Sequence, residues 1–127
     1  MIVSGNILTV NGNIPIQDLK VGDRVCDTNS RIGGGLVTDI TAEKYTGDIL
    51  DFGDFSVTAD TVLHTMHGIG TYDKVSKDNK IIFKDFNDNM RVKKFVIKFV
   101  SNVDVYDLNI EYNVSFYVNK ILFDTNK

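Results

Sequence analysis

Tryptophan is absent from this 127-residue chain, and cysteine, proline and glutamate are scarce, with one Cys, one Pro and two Glu. The lone thiol, Cys26, makes no internal disulfide and by itself builds no zinc site. No apolar run approaches the ~18 residues of a membrane-spanning helix, so no membrane partner is expected. The opening, Met1-Ile2-Val3-Ser4-Gly5, lacks the basic start and long apolar stretch of a secretion signal. A cytoplasmic or virion setting is therefore the expectation. Apolar residues at 43% and charged residues at 24% exclude a disordered chain, and the length suits one domain, 1–127.

What is present favours strands. Fifteen Asp, 12 Asn and 10 Gly supply turn formers that disfavour helix interiors. Val, Ile, Phe, Tyr and Thr carry most of the apolar and β-branched mass. An all-β domain of many short strands is predicted, with no long repeat and no sustained helical period. Strands are expected at 7–10, 24–27, 55–58, 61–66, 81–84, 104–110, 114–118 and 121–123. Asn11-Gly12 marks a tight hairpin turn, because both central positions of a type I′ turn need positive φ. Residues 18–23 read as a turn or single helical turn. Segments 36–41 and 45–52 are expected to pair as strands. In 94–100, Phe95, Ile97 and Phe99 point one way and Lys94, Val96 and Lys98 the other.

Charge is unevenly placed. The net charge is −3, yet residues 72–98 hold eight of the 14 basic residues against four acids, giving +4 there and −7 elsewhere. Such a segment can face a phosphate-rich partner. Tyr72, Phe83, Phe86 and Phe95 could stack bases within it. The preferred reading is a solvated hairpin whose lysines protect edge strands, since interspersed acids dilute the field. Nucleic acid is thus not the favoured partner.

Three stretches, taken in order, then carry a family pattern. Gly5-Asn6-Ile7-Leu8-Thr9-Val10-Asn11-Gly12, followed by Ile16-Gln17-Asp18-Leu19-Lys20-Val21-Gly22-Asp23-Arg24-Val25, resembles the opening block of the Hint family of inteins, hedgehog autoprocessing domains and bacterial intein-like domains. Phe55-Ser56-Val57-Thr58-Ala59-Asp60-Thr61 is similar to the second block, and Val105–Ile110 with Phe116–Phe123 to the closing blocks. Residues 66–100 stay unassigned. The resemblance implies a compact all-β horseshoe with two pseudo-symmetric halves.

It also implies where the chemistry would sit. Hint catalysis begins with a Cys or Ser that attacks the preceding carbonyl. Ile2 aligns there and has no attacking atom, and Met1 alone precedes it. Ser4 is a fallback hydroxyl, two residues late. The second block supplies a Thr and a His that polarise the scissile amide. Thr58 matches the Thr, but Thr61 stands in the His position, and its hydroxyl is no acid near neutral pH. A shifted register, Thr61-Val62-Leu63-His64, makes His64 the fallback. Val114 replaces the His of the closing block, and Asp124-Thr125 replaces the terminal His-Asn pair. Asn126, one residue late, is the fallback for cyclisation.

Other motifs carry less. Gly33-Gly34-Gly35 lacks the Lys-Ser/Thr of a phosphate loop. Asp48, Asp51, Asp54 and Asp60 lack EF-hand spacing and are read as turn-capping residues. His64 and His67 would face opposite ways on a strand. No metal and no cofactor is expected. With four catalytic positions replaced on a retained scaffold, the expectation is an inactive Hint domain. It would serve as a structural or binding module, docked on another protein or on a larger assembly such as a phage tail or baseplate. The alternative is a weak self-cleaving protease using Ser4, His64 or Asn126.

Overall fold

The computed structural model describes residues 1–26, 35–113 and 115–123. Val114, Asp124, Thr125, Asn126 and the Gly33-Gly34 pair lie outside the described residues. The regular structure of the described chain is almost entirely strand. It opens with β1 (Ile2–Ser4), β2 (Asn6–Thr9), β3 (Gly12–Pro15) and β4 (Arg24–Val25). Next come β5 (Gly35–Asp51), β6 (Ser56–Thr58), β7 (Leu63–Thr65) and β8 (Gly68–Gly70). A four-residue helix, α1 (Tyr72–Val75), precedes β9 (Lys80–Lys84), β10 (Met90–Lys94) and β11 (Val96–Ile110). The described part ends in β12 (Phe116–Val118) and β13 (Ile121–Phe123). No helix among these residues is long and apolar enough to cross a membrane.

One sheet holds most of the strands, in the order β11-β1-β6-β5-β4-β2-β12-β13 with β3 beside β2. Its long spine is the antiparallel ladder of β5 and β11, running from Val96↔Asp51 to Ile110↔Val37. A bulge between Val100 and Val103 bends it. There Asn102 takes a φ of 56° and its amide donates to Thr46 Oγ1. The chain start, β1, lies between β6 and β11, pairing Ile2 with Val57 on one side and with Tyr106 on the other. Separate two-stranded sheets are formed by β9 with β10 and by β7 with β8.

One apolar cluster underlies these strands, with Ile7, Leu50, Phe55, Phe83, Leu108 and Phe123 among its most deeply buried members. Phe52 stacks on Phe55 at 4.6 Å between ring centres, and Phe55 meets Phe123 edge-on at 6.0 Å. Burial of such side chains contributes roughly 1.5–3 kcal/mol each. Gly5 is forced by the close approach of β1 and β12. Its φ is +144°, and a Cβ there would sit 2.5 Å from Val118 Cγ1 and 3.0 Å from Phe55 Cβ.

Several expected strands are found nearly as read, with 121–123 now β13 and Asn11-Gly12 turning β2 into β3. Others are corrected. Segments 36–41 and 45–52 do not pair with each other. They are one 17-residue strand, β5, because Ala42-Glu43-Lys44 contains no turn former to reverse the chain. The alternation of 94–100 also misleads. Phe95 is buried, but Ile97 is 41% and Phe99 72% exposed, because no second layer covers that stretch of β11. The helix α1 opens the 72–98 segment read as a solvated hairpin.

Candidate functional site

The residues of the second block fold as a strand end and a tight turn. Thr58 closes β6, and the Thr61 amide donates to the Thr58 carbonyl at 3.1 Å. This turn brings two hydroxyls, Thr58 Oγ1 and Thr61 Oγ1, to 2.9 Å from each other. Thr58 is buried, and its hydroxyl donates to Asp60 Oδ1 at 2.6 Å.

Into this hydroxyl pair the chain start inserts its nitrogen. The Met1 amine donates to Thr58 Oγ1 at 3.0 Å and to Thr61 Oγ1 at 2.9 Å. The Thr58 amide donates back to the Met1 carbonyl at 3.0 Å. The proton count closes: Thr58 gives its single proton to Asp60 and accepts from the amine, and Thr61 accepts from the amine and donates to Thr58. Burial lowers the pKa of the Met1 amine below its ordinary 8.0, while the charges of Asp107, Asp60 and Glu43 draw it back up.

Among the described residues the first backbone nitrogen is thus held by hydroxyls, with no thiol and no imidazole hydrogen-bonded to it. Ile2 is buried between Val57 and Tyr106, with an aliphatic side chain. Ser4 points elsewhere, its Oγ 2.7 Å from Ser56 Oγ. His64 lies half-buried on β7, paired with Ile69 of β8, and β7 packs on β9 and β13. His67 is exposed in the β7–β8 turn, where its amide donates to Thr65 Oγ1 at 3.1 Å. The structure therefore joins Thr58 and Thr61 and leaves Ile2, Ser4 and His64 out of their hydrogen-bond network. Val114, Asp124, Thr125 and Asn126, outside the described residues, take no part in this description.

The sequence reading missed two members of the network, the Met1 nitrogen and Asp60. A signal for Asp60 was present, since an Asp two residues beyond a strand-ending Thr is placed to accept its hydroxyl proton. Among the described residues no group of three or more His, Cys, Asp or Glu side chains is arranged to hold a metal. The acidic residues around β5 and β6 serve local structure. Asp51 accepts from the Gly53 amide at 2.8 Å and pairs with Lys98 at 2.7 Å. The hydrogen bond from Lys98 and that from Gly53 hold its carboxyl below the ordinary range. Asp54 pairs with Lys93 at 2.8 Å.

No family model and no curated protein sequence matches the chain. Solved structures do. The bacterial intein-like domain from Clostridium thermocellum is similar at a TM-score of 0.77 and 20% identity, over 98% of this chain and 97% of that one. The gp41-1 intein is similar at 0.71 and 17%, over 97% and 95%. The DnaB intein from Synechocystis sp. PCC 6803 is similar at 0.69 and 18%, over 99% of both. Likeness at such identities is a statement about backbone, and it agrees with the element order and the strand content: the chain has the all-β Hint fold, the fold of inteins.

Proposed function

We propose that residues 1–127 act as one Hint-like domain that no longer processes itself and serves as a structural or protein-binding module. One observation carries the reading. Among the described residues the first backbone nitrogen is held by two threonine hydroxyls, Thr58 and Thr61, with no imidazole and no thiol in the network. A neutral alcohol does not protonate a leaving nitrogen near neutral pH, and Ile2 offers no nucleophile. A fold kept without its chemistry is then kept for its surface. The assembly proposed is a phage virion, which the Asn-, Asp-, Ile- and Lys-rich composition supports. The proposed setting is the cytoplasm or the virion.

The test is intact mass spectrometry of the chain fused between two foreign polypeptides, with and without added thiol. An unchanged mass is expected. A cleaved or spliced product overturns the reading, and Ser4, His64 and Asn126 then become the positions to substitute. For the virion, density-gradient sedimentation of a tagged chain from its native source should place it with the particles. Recovery only from the soluble fractions removes that assembly.

A further inference from the structure

A cleft of about 210 Å³ lies away from the Met1 site, where the β12–β13 turn meets β2 and β10. Arg91, Lys93 and Lys120 line it, along with Asp54, Asn6 and Asn119. Two of its cations are fixed in place. The Arg91 Nε donates to Asp85 Oδ2 at 2.9 Å, and the Asp85 side chain is only 1% exposed. The other Asp85 oxygen accepts the amides of Asn87 and Asn89, each at 2.9 Å. The carboxylate thus aims the guanidinium, and the terminal Nη groups have no partner among the described residues. Lys93 is held by Asp54 at 2.8 Å. Lys120 stands in the turn with a φ of 69° and has no carboxylate partner among the described residues. Asn119 braces the floor, accepting from the Asn6 amide at 2.8 Å and donating to the Asp54 carbonyl at 3.2 Å.

We infer that this cleft binds a phosphoryl dianion, as inorganic phosphate or as a phosphomonoester on a short stem. The lining side chains carry three positive charges and one negative. With the Asp85 carboxylate that holds Arg91 counted as well, the site keeps a balance of +1, carried by Lys120, which draws a group of about −1.5 to −2 near pH 7. Oriented guanidinium nitrogens suit tetrahedral oxyanions, and a lysine adds a point charge. The volume lies below the roughly 300 Å³ of pockets that take larger ligands.

The test is a backbone and Arg side-chain chemical-shift titration of the full chain with inorganic phosphate, at ionic strength held constant with chloride. Saturable shifts at Asn6, Asn119, Lys120 and Arg91 Nε are expected, with a dissociation constant on the order of 1 mM. Lys120→Asn, which suits a left-handed φ and so preserves the turn, should weaken binding about tenfold. Arg91→Lys keeps a partner for Asp85 and should weaken it comparably. Linear, non-saturating shifts overturn the inference, as does unchanged affinity in Lys120→Asn with the native spectrum retained. O-phosphoserine and glycerol phosphate carry the same group on different stems. The tighter of the two distinguishes a phosphorylated protein segment from a free small molecule, and saturable binding of either supports the site.

Discussion

In a chain beginning at Met1, two corners of the molecule each bury a charged group, and they do so by opposite means. At the Met1 corner a cation rests on neutral hydroxyls, with carboxylates acting only from farther off. At the Asp85 corner an anion receives two amides and a guanidinium directly. A buried charge is destabilising unless it is paired and hydrogen-bonded. The first corner is therefore under tension and the second is at rest. The tense corner lies in the part of the chain that resembles a known family, and the relaxed one lies within the unassigned stretch 66–100.

The largest break in this contrast should come from Asp85→Ala. It strands the Asn87 and Asn89 amides and leaves the half-exposed Arg91 without its carboxylate, so a loss of about 2–3 kcal/mol is expected in denaturant unfolding. The same carboxylate sets an acid dependence. Burial pushes its pKa up, but the hydrogen bonds from Asn89, Asn87 and Arg91 outweigh this and hold it below the ordinary value. Its contribution is present above the unfolded value of about 3.9 and is lost as pH falls through the lower folded one. Asp85→Asn should accordingly flatten the stability profile in that window, and an unaltered acid limb would contradict the assignment.

Gly5→Ala is of similar size. The new Cβ meets Val118 and Phe55 where φ is +144°, and about 3 kcal/mol should be lost. A thermal midpoint within a degree of the parent would mean that β1 and β12 separate more easily than their packing implies.

The smallest effect sharpens the Met1 corner. In a chain beginning at Met1, the folded amine has the lower pKa, so the unfolded chain holds the proton to higher pH. Stability should then rise with pH from the lowered value up to about 8 and level off above it. Chemical acetylation of the amine should remove that slope, as read by denaturation midpoints across the window.

The contrast also explains what the sequence made legible. The Asn11-Gly12 turn and the strand at 121–123 were readable because turn chemistry and a short apolar run are local signals. Thr58 and Thr61 were readable as a pair because a block pattern fixes their spacing. Asp85 and Arg91 were not, since only the fold of the β9–β10 loop aims one at the other. Nor was the exposure of Ile97 and Phe99, because alternation gives a period without saying which face a second layer covers. The continuity of β5 was missed for a related reason: its pairing partner, β11, is remote in sequence.

That remoteness governs how the molecule assembles. The β5–β11 ladder closes only after residues 52–95 have been looped out, and β1 is held in place by β11 as well as by β6. Closure entropy of this kind places folding in the millisecond-to-second range of non-local β topologies. The β9–β10 hairpin pairs near neighbours such as Lys84 and Met90, a microsecond event. The unassigned hairpin thus forms early, and β1 must wait, unpaired on its β11 side, until Val96–Ile110 has been synthesised.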